Sequence, residues 1–80
     1  MQVELITPDQ KVFEGEAVSV KLPGSIGGFE VLDNHAALIS SLGQGKVEIK
    51  SDKGEVYTID GGVAEIRNNK LVILAETLVS

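Results

Sequence analysis

Short runs of alternating apolar and polar residues make up most of this chain, and they constrain its fold more than any other feature. Val47 and Ile49, for example, are flanked and separated by Lys46, Glu48 and Lys50. Three further runs share this period of two: Val3 with Leu5; Val18, Val20 and Leu22 opposite Ser19 and Lys21; and Tyr57 with Ile59 opposite Val56 and Thr58. Because successive side chains of a strand point to opposite faces, the pattern predicts half-buried β-strands.

Residues typical of turns separate these runs at short intervals. Glycine, proline, asparagine and aspartate dominate there, because each supports a backbone conformation or a local hydrogen bond that turns require. The predicted turns are 7–10, 23–24, 33–34, 43–45, 52–54, 60–62 and 68–69. No segment carries an apolar stripe at helical spacing over three turns. Many short strands at this spacing predict an all-β sandwich or barrel.

Composition limits the functions that such a domain can have. Eighty residues make one domain, and the absence of cysteine excludes a disulfide or a cysteine-ligated zinc site. The net charge is −5 and the seven basic residues are scattered, so we expect no nucleic-acid partner. The N-terminal residues lack the basic and long apolar segments of a signal peptide or membrane span. Any membrane association is therefore expected to be peripheral.

Candidate chemical sites are few. His35 is the only histidine, which excludes a multi-histidine metal site, and we interpret it as a structural or interface residue. Asp33, His35 and Ser40 lie close in sequence, but neighbouring turn and strand positions rarely converge as a catalytic triad. The Gly-rich segment 24–28 lacks the lysine and the following helix of a phosphate loop. We therefore predict no catalytic residue, metal, cofactor or bound nucleotide.

Lys53 supports an alternative function. Ser51-Asp52-Lys53-Gly54 lies between two predicted strands, 46–51 and 55–59, where lipoyl and biotinyl carrier domains present their modified lysine. The same four residues also make an ordinary hairpin loop with glycine at the left-handed position. An apolar residue directly after the lysine, which the carrier pattern would have, is missing. A carrier domain modified at Lys53 remains the alternative.

The order of motifs along the chain resembles a known family. The segment 22–45 reads LPGSIGGFEVLDNHAALISSLGQG: a Pro-Gly turn, a Gly-rich approach, an apolar strand, a turn ending in His-Ala, and a second apolar strand. This order is similar to that of the N-terminal β-sandwich domain of the epsilon subunit of F-type ATP synthase. Residues 4–8, 12–17, 61–66, 68–69 and 72–76 fit the family as well, so the resemblance covers nearly the whole chain.

Two departures from the family pattern concern the proposed interfaces. Asp33-Asn34 replaces the usual Pro-Gly before His35. We expect the turn to be kept, because asparagine tolerates left-handed backbone and aspartate accepts local backbone hydrogen bonds. The family's Gly-Glu-Phe-Gly is Gly27-Gly28-Phe29-Glu30 here, which moves the carboxylate by two positions. Since residues i and i+2 of a strand share a face, Glu30 is expected to present its carboxylate to the same neighbour.

The resemblance implies both a fold and a function. It implies an antiparallel β-sandwich of about 8–10 short strands over residues 1–80. It also implies a non-catalytic central-stalk subunit that links the gamma subunit to the membrane c-ring and couples proton transport to ATP synthesis. The family's C-terminal helical hairpin does not follow residue 80, so inhibition of the hairpin type is not expected. The complex would place the domain peripherally on the cytoplasmic face of a bacterial membrane, or its organellar equivalent.

The resemblance assigns two sets of interface residues by position. The gamma-subunit interface comprises Thr7, His35, Leu38 and Ser40. The c-ring interface comprises Gly28, Phe29 and Glu30.

Overall fold

Seven β-strands form the fold in the computed structural model, which describes residues 1–79. Ser80, the predicted end of the domain, lies outside the described residues. The strands are β1 (Gln2–Ile6), β2 (Lys11–Glu16), β3 (Ser19–Leu22), β4 (Phe29–Leu32), β5 (Leu38–Lys50), β6 (Glu55–Arg67) and β7 (Lys70–Ala75). No helix occurs in residues 1–79, and hence none that could cross a membrane. The predicted all-β class is confirmed.

One bent sheet supplies both layers of the sandwich, in the order β2-β1-β7-β6-β5-β3-β4. Layer A contains β2, β1, β7 and the halves of β6 and β5 that pair around residues 62–66 and 38–42. Layer B contains the other halves of β6 and β5 together with β3 and β4. All pairs are antiparallel except β1 with β7, which run parallel. The strands are fewer than expected because β5 and β6 each extend through both layers.

The bend of the β5–β6 hairpin lies at two glycine-rich segments that the sequence pattern predicts to be turns. Residues 43–45 and 60–62 are instead interior to the two long strands, so these two predictions are wrong. Glycine permits the bend because Gly61 and Gly62 have φ values of 129° and 155°, which side chains disfavour. Before the bend the buried residue of β5 has an even number, Leu42, whereas after the bend the buried residues have odd numbers, Val47 and Ile49. Each half therefore turns its apolar side to the same interior.

A single hydrophobic core lies between the layers. Its fully buried members include Val3, Leu5, Val20, Val31, Val47, Ile49, Ile59, Ile66, Leu71 and Ile73. Phe13, Phe29 and Tyr57 pack against it from positions that are only partly buried. Burying a valine, leucine or isoleucine side chain contributes about 1.5–3 kcal/mol, so these alternating positions determine which face of each strand points inward.

Val18 is the exception to the predicted alternation. It is 62% exposed, whereas Ser19 is buried. Val18 precedes β3 in a bend, where its amide donates to the carbonyl of Lys50, so the period of two begins one residue later. Ser19 lies between its cross-strand neighbours Leu32 and Lys50. Val18 therefore does not share the inward face of Val20 and Leu22.

Candidate docking surfaces

The polar side chains of residues 1–79 form neither a metal-binding cluster nor a catalytic triad. Residues 1–79 contain no group of three histidine, cysteine or carboxylate side chains that could hold a metal ion. His35 Nδ1 lies 2.7 Å from the carbonyl oxygen of Ala36, and Ser40 Oγ donates to the carbonyl of Ser41. Asp33 faces the N-terminal ammonium group instead of His35. These three residues are therefore not arranged as a triad.

An apolar patch lies on the outer side of layer A. Val63 and Leu74 are cross-strand neighbours with exposed fractions of 42% and 52%, and Ile6 pairs with Leu74 on the other side. Ile39, 70% exposed, lies on the same side of the neighbouring β5. Val72 lies in the same row as Ile39, from which it is separated by Glu65 of β6. We call Ile6, Ile39, Val63, Val72 and Leu74 the apolar face. Contiguous apolar patches of this kind commonly mark interaction sites.

Ion pairs border the apolar face on the β1–β2 side. Glu4 lies in the same outward row as Val72, and its Oε2 is 3.4 Å from Lys70 Nζ and 3.9 Å from Lys11 Nζ. Lys11 Nζ is also 3.4 Å from a carboxylate oxygen of Glu14. These charges neutralise each other within the domain, so a binding partner need not supply opposite charges along this border.

None of the four residues assigned to the gamma interface belongs to the apolar face. Thr7 follows Ile6 and begins a turn in which its amide donates to the carbonyl of Gln10 at 2.9 Å. Leu38 and Ser40 pair with the buried Ile66 and Ala64, so their side chains point to the inner side of β5, near its free edge. His35 lies in the segment that precedes β5, at the end of the layer opposite to Thr7.

The three residues assigned to the c-ring interface have different environments. Gly28 and Glu30 are exposed, whereas Phe29 is partly buried and packs against the core. Glu30 pairs across the strands with Lys21, and both line a surface groove together with Lys46 and Glu48. None of the ion pairs within residues 1–79 includes Glu30, so its carboxylate is free to meet a partner.

A loop with an exposed apolar tip precedes Glu30. Ile26 is fully exposed in the turn between Gly24 and Gly27, whose amide donates to the carbonyl of Gly24. A Cβ on Gly24 would lie 2.9 Å from Phe29 Cδ1, so glycine is required where the loop passes over the aromatic ring. The loop therefore presents Ile26 outward while Phe29 anchors its return into β4.

The turn before His35 is hydrogen-bonded to Met1. The Met1 ammonium donates to the carbonyl of Ala17 at 2.8 Å and to Asp33 Oδ1 at 2.7 Å. Hydrogen bonds from this ammonium and from Asn69 hold the pKa of Asp33 below its ordinary value of 3.8. Asn34 has a φ of 62°, as expected for a residue in the place of glycine. The expected local backbone partner of Asp33 is replaced by these two distant groups.

Comparison with known families identifies the sandwich. The profile of the family described as "ATP synthase, Delta/Epsilon chain, beta-sandwich domain" matches residues 1–80. The chain belongs to this family. The resemblance of the segment 22–45 and its flanking motifs is thereby confirmed.

Relatives in the family are named ATP synthase epsilon chain. The chain is 40% identical over 77 residues to that of Leptospira interrogans, covering 95% of this chain and 61% of the relative. It is 44% identical over 81 residues to that of Campylobacter concisus, covering 99% and 63%. The chain thus spans about three fifths of the length of these relatives.

Solved structures share the fold at low sequence identity. A chain of the Tetrahymena thermophila mitochondrial ATP synthase, from a structure of its central stalk and c-ring, matches with a TM-score of 0.82 and 17% identity, covering 99% of this chain and 65% of that chain. A chain of the Euglena gracilis mitochondrial ATP synthase matches with a TM-score of 0.85 and 22% identity, covering 96% and 51%. The all-β sandwich is therefore confirmed as the fold.

The family assignment bears on Lys53 as well. Lys53 is exposed in the loop between β5 and β6, where Gly54 has the left-handed φ of 63° that the sequence predicts. This is the geometry of an ordinary hairpin loop. Since residues 1–80 match the epsilon-chain family, a carrier domain modified at Lys53 is disfavoured.

The centre of the apolar face is not evident from the sequence pattern. Ile39, Val63 and Leu74 were not singled out, although each is an apolar residue at an outward position of its strand. The run Val72-Ile73-Leu74 carried a usable signal, because three consecutive apolar residues cannot all point to the core. The outward positions of β5 and β6 cannot be assigned from the sequence alone, because they depend on where the two strands bend.

Proposed function

We propose that this chain is the β-sandwich domain of a central-stalk epsilon subunit of ATP synthase. It docks on the gamma subunit through the apolar face and contacts the c-ring through the loop 23–28 and Glu30. Thr7, Leu38 and Ser40 border the gamma contact, and His35 lies at its far end. The domain transmits rotation between ring and stalk, which couples proton transport to ATP synthesis. It is a non-catalytic subunit and binds no nucleotide.

The observation that carries the gamma contact is the apolar face itself. It brings five apolar side chains of four adjacent strands onto one outer surface of an otherwise acidic domain. The core of a protein interface is enriched in apolar side chains, which these five residues provide, and the charged Glu65 lies between Ile39 and Val72 in the same outward row. The outer side of layer B differs, because Lys21, Glu30 and Glu48 alternate along one row there. The two sides therefore support different partners.

Substitutions on the two outer sides test the gamma contact. Val63→Glu places a charge at an outward position of the apolar face and should raise the Kd for the gamma subunit at least about tenfold, which corresponds to about 1.4 kcal/mol. Val56→Glu is the matched control, because Val56 is a similarly exposed valine on the outer side of layer B. Titration calorimetry with folded variants measures both. Equal affinities for Val63→Glu and the parent would contradict the proposed surface.

The c-ring contact rests on the unpaired carboxylate of Glu30. Glu30→Gln in the assembled synthase should loosen coupling slightly, by under about 1 kcal/mol for an exposed ion pair, and added salt should reproduce part of the effect. Glu48→Gln is the control, since Glu48 lies in the same row one strand beyond Lys21. The measurement is the ratio of protons pumped to ATP hydrolysed at low ionic strength. If both variants match the parent, Glu30 is only a solvated side chain.

Association with the ring would hold the domain at the membrane surface. In a bacterial synthase this is the cytoplasmic face, and the domain reaches it only through the complex. The net charge of −5 gives the domain no attraction of its own to anionic lipid headgroups, so its place at the membrane would depend on the complex.

A further inference from the structure

Asn69 differs from the residue that its own turn favours. Arg67 and Lys70 pair across β6 and β7, so Asn68 and Asn69 alone form the loop of this hairpin. Their φ values of 53° and 58° are those of a type I′ turn, in which both central residues have positive φ. Asparagine followed by glycine is the favoured sequence there, because glycine has no side chain that opposes a positive φ. A second asparagine in place of that glycine is locally unfavourable, so we expect its side chain to act outside the hairpin.

The side chain of Asn69 contacts a second turn that is distant in the sequence. Its Oδ1 accepts the amide of Asn34 at 2.7 Å, over a separation of 35 residues. Asn69 lies between β6 and β7 in layer A, whereas Asn34 follows β4 in layer B. The backbone carbonyl of Asn69 separately accepts the amide of Gln2 at 3.1 Å. The hydrogen bond to Asn34 is therefore a link between the two layers that only the side chain of Asn69 provides.

The bonded amide belongs to the peptide group that decides the type of the second turn. The amide of His35 donates to the carbonyl of Leu32 at 3.2 Å, which makes Leu32 and His35 the ends of a four-residue turn. Asn34 is the third residue, and its φ of 62°, with no positive φ at Asp33, is typical of type II. Types I and II differ in the orientation of the peptide between the second and third residues. That peptide carries the Asn34 amide, so Asn69 Oδ1 holds it in the type II orientation.

We propose that Asn69 is a positioning residue whose side chain selects the type II form of the turn 32–35 and thereby fixes the place of His35. Without this hydrogen bond the central peptide can rotate to the type I orientation, which gives Asn34 an ordinary negative φ. The turn would then exchange between two forms, and His35, its last residue, would be held less firmly. The consequence for gamma binding rests on the proposed function, whereas the effect on the turn does not.

Two glycine substitutions in the β6–β7 loop test this role. Asn69→Gly removes the side chain but keeps a residue that accepts positive φ, so the hairpin and its Tm should be retained. Amide hydrogen exchange at Asn34 should nevertheless accelerate several-fold, because its acceptor is lost. Asn68→Gly is the matched control, since Asn68 has a similar φ and its side chain makes no hydrogen bond within residues 1–79. Unchanged exchange in Asn69→Gly, or equal acceleration in both variants, would overturn the proposal.

Proton NMR of the same variants distinguishes the two forms of the turn. In type II the α-proton of Asp33 lies close to the amide proton of Asn34, whereas in type I the amide protons of these two residues lie close to each other. The nuclear Overhauser effect of the first pair should dominate in the parent and in Asn68→Gly. The effect of the second pair should appear in Asn69→Gly. If Asn69→Gly shows only the first, the turn is type II without its help and the proposal is wrong.

Gamma binding separates this inference from the proposed function. If His35 contacts gamma, Asn69→Gly should raise the Kd for gamma several-fold, and Asn68→Gly should leave it unchanged. A turn that exchanges between both forms, together with unchanged gamma affinity, would support the role of Asn69 and contradict a gamma contact at His35. If Val63→Glu binds normally as well, the proposed docking surface fails while the role of Asn69 in the turn stands.

Discussion

Tyr57 shows how position on a strand changes the chemistry of a single side chain. It faces inward on β6, packs against the core, and donates its hydroxyl to Glu55 Oε1 at 2.5 Å. Burial, followed by the hydrogen bond and the charge of Glu55, raises the pKa of Tyr57 to about 12 from its ordinary value of 10.0. Because the fold disfavours the ionised form, Tyr57 contributes stability that is complete below pH 10 and is lost as the pH rises through about 12.

The absorbance of Tyr57 can be titrated alone, because it is the only tyrosine of the chain. We expect the folded domain to ionise near pH 12 and Glu55→Gln to ionise at a lower pH, since that change removes the carboxylate charge. Circular dichroism recorded in parallel identifies the range in which the fold is intact. Ionisation of the native domain with a midpoint at pH 10 would show that neither burial nor Glu55 acts on the phenol.

At the scale of elements, the β5–β6 hairpin determines the architecture. Two strands of 13 residues each bend together, and this bend converts one sheet into two layers. A Cβ on Gly62 would overlap the carbonyl oxygen of Leu74 and lie 3.0 Å from Ala75 Cα. Both neighbours are backbone atoms of a paired strand, so they cannot rotate away. Only glycine at position 62 therefore allows β7 to pair with β6 at this distance.

Gly62→Ala should consequently destabilise the domain by about 2 kcal/mol or more, through overlap with β7 and an unfavourable φ. Gly28→Ala is the matched control, because a Cβ there meets only the carbonyl of Leu22 at 3.6 Å. The control should be neutral or gain up to about 1 kcal/mol through a less flexible unfolded chain. Urea unfolding of the two variants measures the difference. Similar midpoints would contradict the steric role of Gly62.

The same elements show how far sequence reasoning reaches. The alternation of Val47 with Ile49 and of Tyr57 with Ile59 correctly predicted strands and their inward faces. The glycines at 43–45 and 60–62 were misread as turns, because glycine is favoured both where a chain reverses and where a long strand bends. Only pairing between β5 and β6 distinguishes the two cases, and pairing is a non-local property. The turn at Asn68-Asn69 was predictable because its residues alone define it.

At the scale of the whole molecule, the two outer sides of the sandwich have different compositions. The apolar face occupies layer A, whereas Lys21, Glu30 and Glu48 form a charged row on layer B. The order and spacing of motifs were sufficient to predict the family, because they reflect the succession of strands and turns. They did not identify the apolar face, because Ile39, Val63 and Leu74 come from three strands. Their proximity follows from strand order, which no local pattern contains.

Hydrogen exchange of the domain with and without the isolated gamma subunit tests the central claim most directly. If the apolar face binds gamma, exchange should slow on gamma binding in β5 around Ile39, in β6 around Val63 and in the Thr7 turn. Exchange around Lys21 and Glu48, on the outer side of layer B, should be unchanged. Protection confined to layer B, with residues 39, 63 and 74 unaffected, would contradict the assignment of the apolar face as the docking surface.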